Sequence, residues 1–181
     1  LYQISWLEKA ANVQECKIAI LNAGLDEISE TVKKRLPAAS VRVFDFFDED
    51  KQTEVSIRRA RSLGVGIQDS EVVSSCLLPM GDDECDLAIA FMSAHEIRGD
   101  EDRLVFFLEL HRILNIRGRV VVVEHLRDPW NLLAYSVGGF HFLSRRTWTK
   151  TFVGSGFRIA EEFKQTPFVS VFILEPKGMT S

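Results

Sequence analysis

Two short stretches gather side chains suited to proton transfer. His95 and Glu96 are neighbours, and Glu124, His125 and Asp128 form a second group. A histidine titrates near neutral pH, so His95 or His125 could take a proton from an acceptor hydroxyl or amine. The spacing of the second group is not that of a metal site. The three cysteines, Cys16, Cys76 and Cys85, contain no C-x-x-C pair and are odd in number. No metal or disulfide framework is expected. The cysteines read as small buried hydrophobes in a reducing, cytoplasmic setting. A third group is aromatic: Trp130, Tyr135, Phe140, His141, Phe142 and Trp148 lie close together, with Gly138-Gly139 as a hinge between them. Aromatic walls with a few polar groups suit an apolar or ring-shaped small molecule. The competing use of such a wall is a contact in a homodimer.

Those residues need elements to hold them. KIAIL (Lys17–Leu21), Val41–Phe44, Glu71–Ser75, DLAIAF (Asp86–Phe91) and GRVVVVE (Gly118–Glu124) read as strands. Ser5–Val13 reads as a short helix. Ile28, Val32 and Leu36 recur at helical spacing until Pro37, and Asp50–Leu63 is a charged helix carrying Arg58, Arg59 and Arg61 as a solvated face. Asp100–Leu114 is the clearest helix. Leu104, Phe107, Leu108, His111 and Leu114 form its inward stripe, and Asp100 caps it. Arg146–Ser155 is a further helix, ended by Gly156. Phe157–Phe163 and Phe168–Leu174 have only a turn between them and must pair antiparallel. Strands alternating with helices imply right-handed crossovers and a mostly parallel sheet buried on both faces. In such a sheet ligands bind beyond the carboxyl ends of the strands. That rule selects Asn22–Asp26, Asp45 and Phe46, Phe91–Glu96, and Glu124–Asp128.

From about Lys17 to Leu174 the chain resembles the class I S-adenosylmethionine-dependent methyltransferases, especially the small-molecule subgroup of the ubiquinone/menaquinone-biosynthesis type. The resemblance lies in Leu78-Pro79-Met80-Gly81-Asp82-Asp83-Glu84-Cys85-Asp86-Leu87, in Ala90-Phe91-Met92-Ser93-Ala94-His95-Glu96-Ile97, in Leu110-His111-Arg112-Ile113-Leu114 with Arg117-Gly118-Arg119 and Val120–Glu124, and in Ser155-Gly156-Phe157. It implies an α/β, Rossmann-like, seven-stranded sheet in the order 3-2-1-4-5-7-6, with an antiparallel C-terminal hairpin, in one domain over residues 1–181. Because the first residue is Leu1 rather than Met, an incomplete N-terminus is the expectation.

The resemblance further implies S-adenosyl-L-methionine as cofactor. The family's glycine-rich loop aligns with Asn22-Ala23-Gly24-Leu25-Asp26-Glu27-Ile28, where only Gly24 keeps its glycine. Asn22 replaces the family acid, and Asp26 and Ile28 are expected to crowd the loop. The Asp26 carboxylate could repel the ligand carboxylate or pair with its ammonium group. Asp45 would accept hydrogen bonds from ribose hydroxyls, as acids do in dinucleotide folds, and Phe46 would lie against adenine. Ser74 and Ser75 stand where the family binds the adenine amine, and Phe91 closes the set. The aromatic segment, with Trp130, Tyr135, His141 and Trp148, would cover the acceptor.

Composition narrows the classes. Lys plus Arg is 22 against 26 Asp plus Glu, giving a net charge of -4. That is not the footprint of a nucleic-acid binder. No apolar run reaches the ~18 residues of a bilayer span. Two functions follow: methyl transfer to a small-molecule acceptor, or a non-catalytic binding or assembly module that has lost the cofactor.

Overall fold

The computed structural model describes residues 4–10, 16–48 and 69–178. The expected helix over Asp50–Leu63, with its three arginines, lies outside the described residues, as do the last positions of the expected Ser5–Val13 helix. The elements are α1 (Trp6–Ala10), β1 (Lys17–Asn22), α2 (Ser29–Arg35), β2 (Ser40–Asp45), β3 (Glu71–Val72), β4 (Cys85–Phe91), α3 (Asp100–Ile113), β5 (Leu114–His125), α4 (Pro129–Tyr135), α5 (Arg145–Gly154), β6 (Phe157–Lys164) and β7 (Val169–Pro176). Single 3₁₀ turns occupy Ala94–Glu96 and Ser136–His141.

The seven strands form one sheet in the order β3-β2-β1-β4-β5-β7-β6, as the sequence predicts. β1 pairs in parallel with β2 and β4, and β4 with β5. β7 lies antiparallel to both β5 and β6. Val120–Val123 therefore sits between β4 and β7, with no polar face to show.

Alternate residues of each strand feed two separate cores. Ala19, Leu21, Phe44, Ala88, Ala90, Val120, Val122 and Phe172 meet Phe106, Phe107 and Leu110 of α3 and Trp148 and Phe152 of α5. Ile18, Ile20, Leu87, Ile89, Val121 and Val123 meet Trp6 and Leu7 of α1, Val32 of α2 and Ile28 just before it. Both faces are covered, which is why the central strands read as unbroken apolar runs.

The inward stripe of α3 differs from the expected one. Arg103, Phe106, Phe107, Leu110 and Ile113 are buried, whereas Leu108 is exposed and Leu104 and His111 are half-buried. The helix is rotated because Arg103 finds carbonyl partners inside. Its Nη1 donates to Ile97 O at 2.8 Å and Arg98 O at 3.2 Å, its Nη2 pairs with Asp100, and its guanidinium lies 5.8 Å from the Trp148 ring centroid. A guanidinium so partnered can be buried. Asp100 is thus the first residue of the helix, not its cap; the capping position is Gly99. His111 packs edge-on against Phe157, its ring centroid 5.2 Å away. Gly156 has φ +87°, and a Cβ there would meet the His111 ring at 3.1 Å, so glycine is required on two counts.

Candidate functional site

The carboxyl ends of β1, β2, β4 and β5 open on one edge of the sheet, where Asn22, Gly24, Asp45, Phe46 and His95 lie. At β1 the chain turns through Gly24, whose φ of +93° needs no Cβ. Asp45, at the end of β2, is almost fully buried, and its Oδ1 accepts from Gly24 N at 2.8 Å and Phe47 N at 3.0 Å. The carboxylate thereby ties the β1 loop to the β2 loop. Asn22 is buried, and its Nδ2 has no protein partner.

Asp26 does not reach into this edge as a free charge. Its Oδ1 accepts from Ile28 N at 3.2 Å and Ser29 N at 2.9 Å, and its Oδ2 takes the Ser29 hydroxyl. It serves the backbone amides at the start of α2. Ile28 does not crowd the loop either. Its side chain is buried with Ile18, Ile20 and Val32.

On the other flank a cavity of about 610 Å³ opens beside Phe46, Val73, Ser74, Ser75, Ile97 and Arg98. Phe46, Ser74 and Ser75 were singled out from sequence. Glu96, singled out beside His95, lines the cavity too, and Phe47, Asp48, Cys76, Gly99, Asp102 and Val105 complete the lining; these six were missed as site residues, as were Val73, Ile97 and Arg98. One signal was available for Val105, an apolar side chain on the polar face of α3. Cys76 is exposed, contrary to expectation, with its Sγ 3.0 Å from Ser74 Oγ. Cys16 and Cys85 are buried as expected, and burial pushes the Cys85 thiol up to about 12. The 78–84 loop that backs this flank is pinned to α3. Glu109 accepts from Leu78 N at 2.7 Å and is bound by Arg112, which also donates to the carbonyls of Leu78 and Met80.

Beyond β4, Met92 adopts φ +48°, an uncommon conformation for a side chain-bearing residue. It swings Ser93–Glu96 across the edge, where Ser93 Oγ donates to Leu21 O at 2.7 Å. His95 then meets two buried carboxylates. Its Nδ1 lies 2.8 Å from Glu124 Oε2, and its Nε2 lies 3.1 Å from Glu96 Oε1. Glu124 Oε1 also accepts from His95 N at 3.2 Å. Burial opposes charging the ring, but Glu124 and Glu96 outweigh it and raise the imidazolium pKa to about 10. Burial likewise raises Glu96, while His95 and Arg98 hold it below the usual carboxylate range. At neutral pH His95 is thus a cation with both nitrogens engaged. It is a clamp between β4 and β5, not the base that the sequence reading assigned. Glu96 Oε1 lies on the cavity wall, where His95 Nε2 at 3.1 Å and Arg98 at 3.5 Å face it.

His125 is placed differently. Its Nδ1 donates to Phe168 O at 3.0 Å, and its ring packs on Tyr135 at 5.2 Å and Phe142 at 4.9 Å. Since a carbonyl only accepts, this bond puts a proton on Nδ1. Trp130 and Tyr135 on α4 are exposed, and His141 receives Arg98 at its carbonyl oxygen (3.1 Å) and at its ring. Two predicted residues are elsewhere. Trp148 is fully buried between Phe107 and Phe152 and walls no ligand, because its face of α5 is the one that covers the sheet. Phe91 is buried in the α1–α2 core, because residues at the end of β4 still alternate between faces. Among the described residues no cluster of His, Cys, Asp and Glu could hold a metal ion.

No protein-family model matches the chain, and no curated protein matches its sequence. Solved structures do match. A SAM-dependent methyltransferase from Methanosarcina mazei superposes with a TM-score of 0.71 at 15% identity, covering 98% of this chain and 99% of that one. A SAM-dependent methyltransferase from Aquifex aeolicus gives 0.68 at 14% identity, covering 93% and 86%. The geranyl diphosphate C-methyltransferase of Streptomyces coelicolor, solved with Mg2+, geranyl diphosphate and S-adenosyl-L-homocysteine, gives 0.66 at 12% identity, covering 94% and 77%. The chain has the fold of the class I methyltransferases.

Proposed function

We propose that this protein is a SAM-dependent methyltransferase acting on a small-molecule acceptor. The observation that carries the reading is the cavity beside the ends of β2, β3 and β4, which joins Phe46, Ser74 and Ser75 to a buried carboxylate, Glu96, faced by His95 and Arg98. The edge fits the cofactor's chemistry. Asn22 offers an unpartnered amide donor for a carboxylate, Asp45 a buried acceptor for ribose hydroxyls, Phe46 an aromatic surface for adenine, and the serines acceptors for its amine. When bound, S-adenosyl-L-methionine supplies an electrophilic methyl group on a sulfonium.

The chain's own work is alignment and exclusion of water. The tie from Asp45 to Gly24 and Phe47 fixes the loop backbone before any ligand arrives. The His95 clamp fixes the β4–β5 wall. His125 Nε2, beside Tyr135 and Phe142, is the nitrogen able to take a proton from an acceptor hydroxyl. The sequence resemblance to the ubiquinone/menaquinone-type subgroup supports a ring-bearing acceptor.

Calorimetric titration of the full chain with S-adenosyl-L-methionine and S-adenosyl-L-homocysteine tests this. Saturable binding of both is expected, with Asp45→Asn weakening it roughly ten- to a hundredfold, since a charged acceptor contributes about 1.5–3 kcal/mol. No heat with either ligand at millimolar concentration refutes the reading and leaves the non-catalytic module.

A further inference from the structure

The α4 segment carries a surface that neither the cavity nor the fold explains. Every large aromatic side chain that is exposed among the described residues lies in it or against it: Trp130 (61%), Tyr135 (46%), Phe140 (64%) and Phe168 (37%). Leu133, one turn from Trp130, is 80% exposed. These residues form one patch. Asn131 Nδ2 donates to Phe168 O at 2.9 Å, and His125 binds the same carbonyl while packing on Tyr135. Gly139 lies so close to α4 that a Cβ would meet Asn131 O and Leu132 Cα at 3.0 Å, which holds Phe140 beside the helix.

Charge is distributed to match. Between residues 126 and 158 there are five Arg or Lys and a single acid, Asp128, in a chain whose net charge is -4. Arg127, Arg145, Arg146 and Lys150 are all exposed. Arg127 N donates to Leu143 O at 2.9 Å, which draws Arg127 to the segment leading into Arg145 and Arg146. Asp128 is neutralised by Lys164 at 2.6 Å. Arg145 pairs with Glu162 at 2.6 Å, while Arg127, Arg146 and Lys150 have no acidic partner among the described residues.

Apolar aromatic side chains bordered by basic ones are the chemistry of a protein that lies on an anionic lipid surface. A second copy of the chain would present the same positive border and repel it at that point. We propose that the α4 face docks on an anionic membrane surface, with Trp130, Leu133 and Phe140 entering the headgroup boundary and Arg127 and Arg146 meeting the anionic headgroups. No helix among the described residues is long and apolar enough to cross a membrane, so this contact is made from one side. The cavity at β3 and α3 is separate, so vesicle binding and cofactor binding can fail independently.

The test uses the full chain with vesicles of 70% phosphatidylcholine and 30% phosphatidylglycerol, against pure phosphatidylcholine. Trp6 and Trp148 are fully buried and Trp130 is exposed, so a vesicle-induced blue shift, quenched by brominated lipid, reports Trp130. Expected is co-sedimentation with the anionic vesicles that weakens with added salt. Arg127→Gln with Arg146→Gln should lower it about thirtyfold, each charge being worth roughly fivefold. Trp130→Ser with Leu133→Ser, both solvent-facing, should abolish the remainder. The proposal is overturned by absent binding, by equal binding to the neutral vesicles, or by a solution dimer that Leu133→Asp dissociates.

Discussion

The two flanks of the strand-end edge use carboxylates in opposite ways. On the β1–β2 flank, Asp45 and Asp26 accept from backbone amides: Gly24 and Phe47 for one, Ile28 and Ser29 for the other. Those carboxylates shape loops, and each replaces water around main-chain donors that would otherwise be orphaned. On the β4–β5 flank, Glu124 and Glu96 grip a side chain, His95, and create a buried ionic triad. On the first flank the described partners are backbone amides and the Ser29 hydroxyl. The second depends on charge, because each ion is out of water and survives only through its partners.

The sharpest break between the flanks is Glu124→Ala. It leaves a buried cation with one carboxylate and should cost about 3–5 kcal/mol in urea unfolding. A cost no larger than that of an exposed pair such as Lys9–Glu161 would erase the distinction.

The next effect is on pH dependence. The folded pKa of His95 is about 10, above its ordinary value. Between the two values the native state holds a proton that the unfolded state has released, so stability falls as pH rises. Its contribution is complete below about pH 6.5 and gone above about pH 10. A loss on the order of 5 kcal/mol across that window is expected, with His95→Gln flattening the slope. An unchanged slope in that variant would show that His95 is not the titrating group.

Asp45→Ala should follow at about 2 kcal/mol, for two buried amides left without an acceptor. Asp45→Asn should retain most of the stability, since the amide oxygen still accepts. Equal losses in the two would mean that this flank also depends on charge. The smallest change is Asp26→Ala, at about 1 kcal/mol for the amides at the start of α2. Thermal melting that shows no change would remove Asp26 from that role.

The amino-acid sequence by itself determined the order of strands, the antiparallel hairpin and the central place of Val120–Val123. The hairpin and the buried run follow from periodicity and from the short turn before Val169, which leaves no room for a crossover, and the order follows from the family resemblance of the motifs. It also located Asn22, Asp45, Phe46, His95 and His125 at strand ends, because a parallel sheet presents all those ends on one edge. What each side chain does there was decided by tertiary structure alone. Nothing local distinguishes His95 from His125, yet one faces two carboxylates and the other a carbonyl and two rings. Partners come from residues as distant as Glu124 and Phe168, and a pKa is set by those partners and by burial. The rotation of α3 was hidden for the same reason. Arg103 reads as surface until the carbonyls of Ile97 and Arg98 close around it, and Trp148 reads as a ligand wall until α5 lays it on the sheet. Spacing sets which residues share a face; only the packed neighbours decide which face is inside.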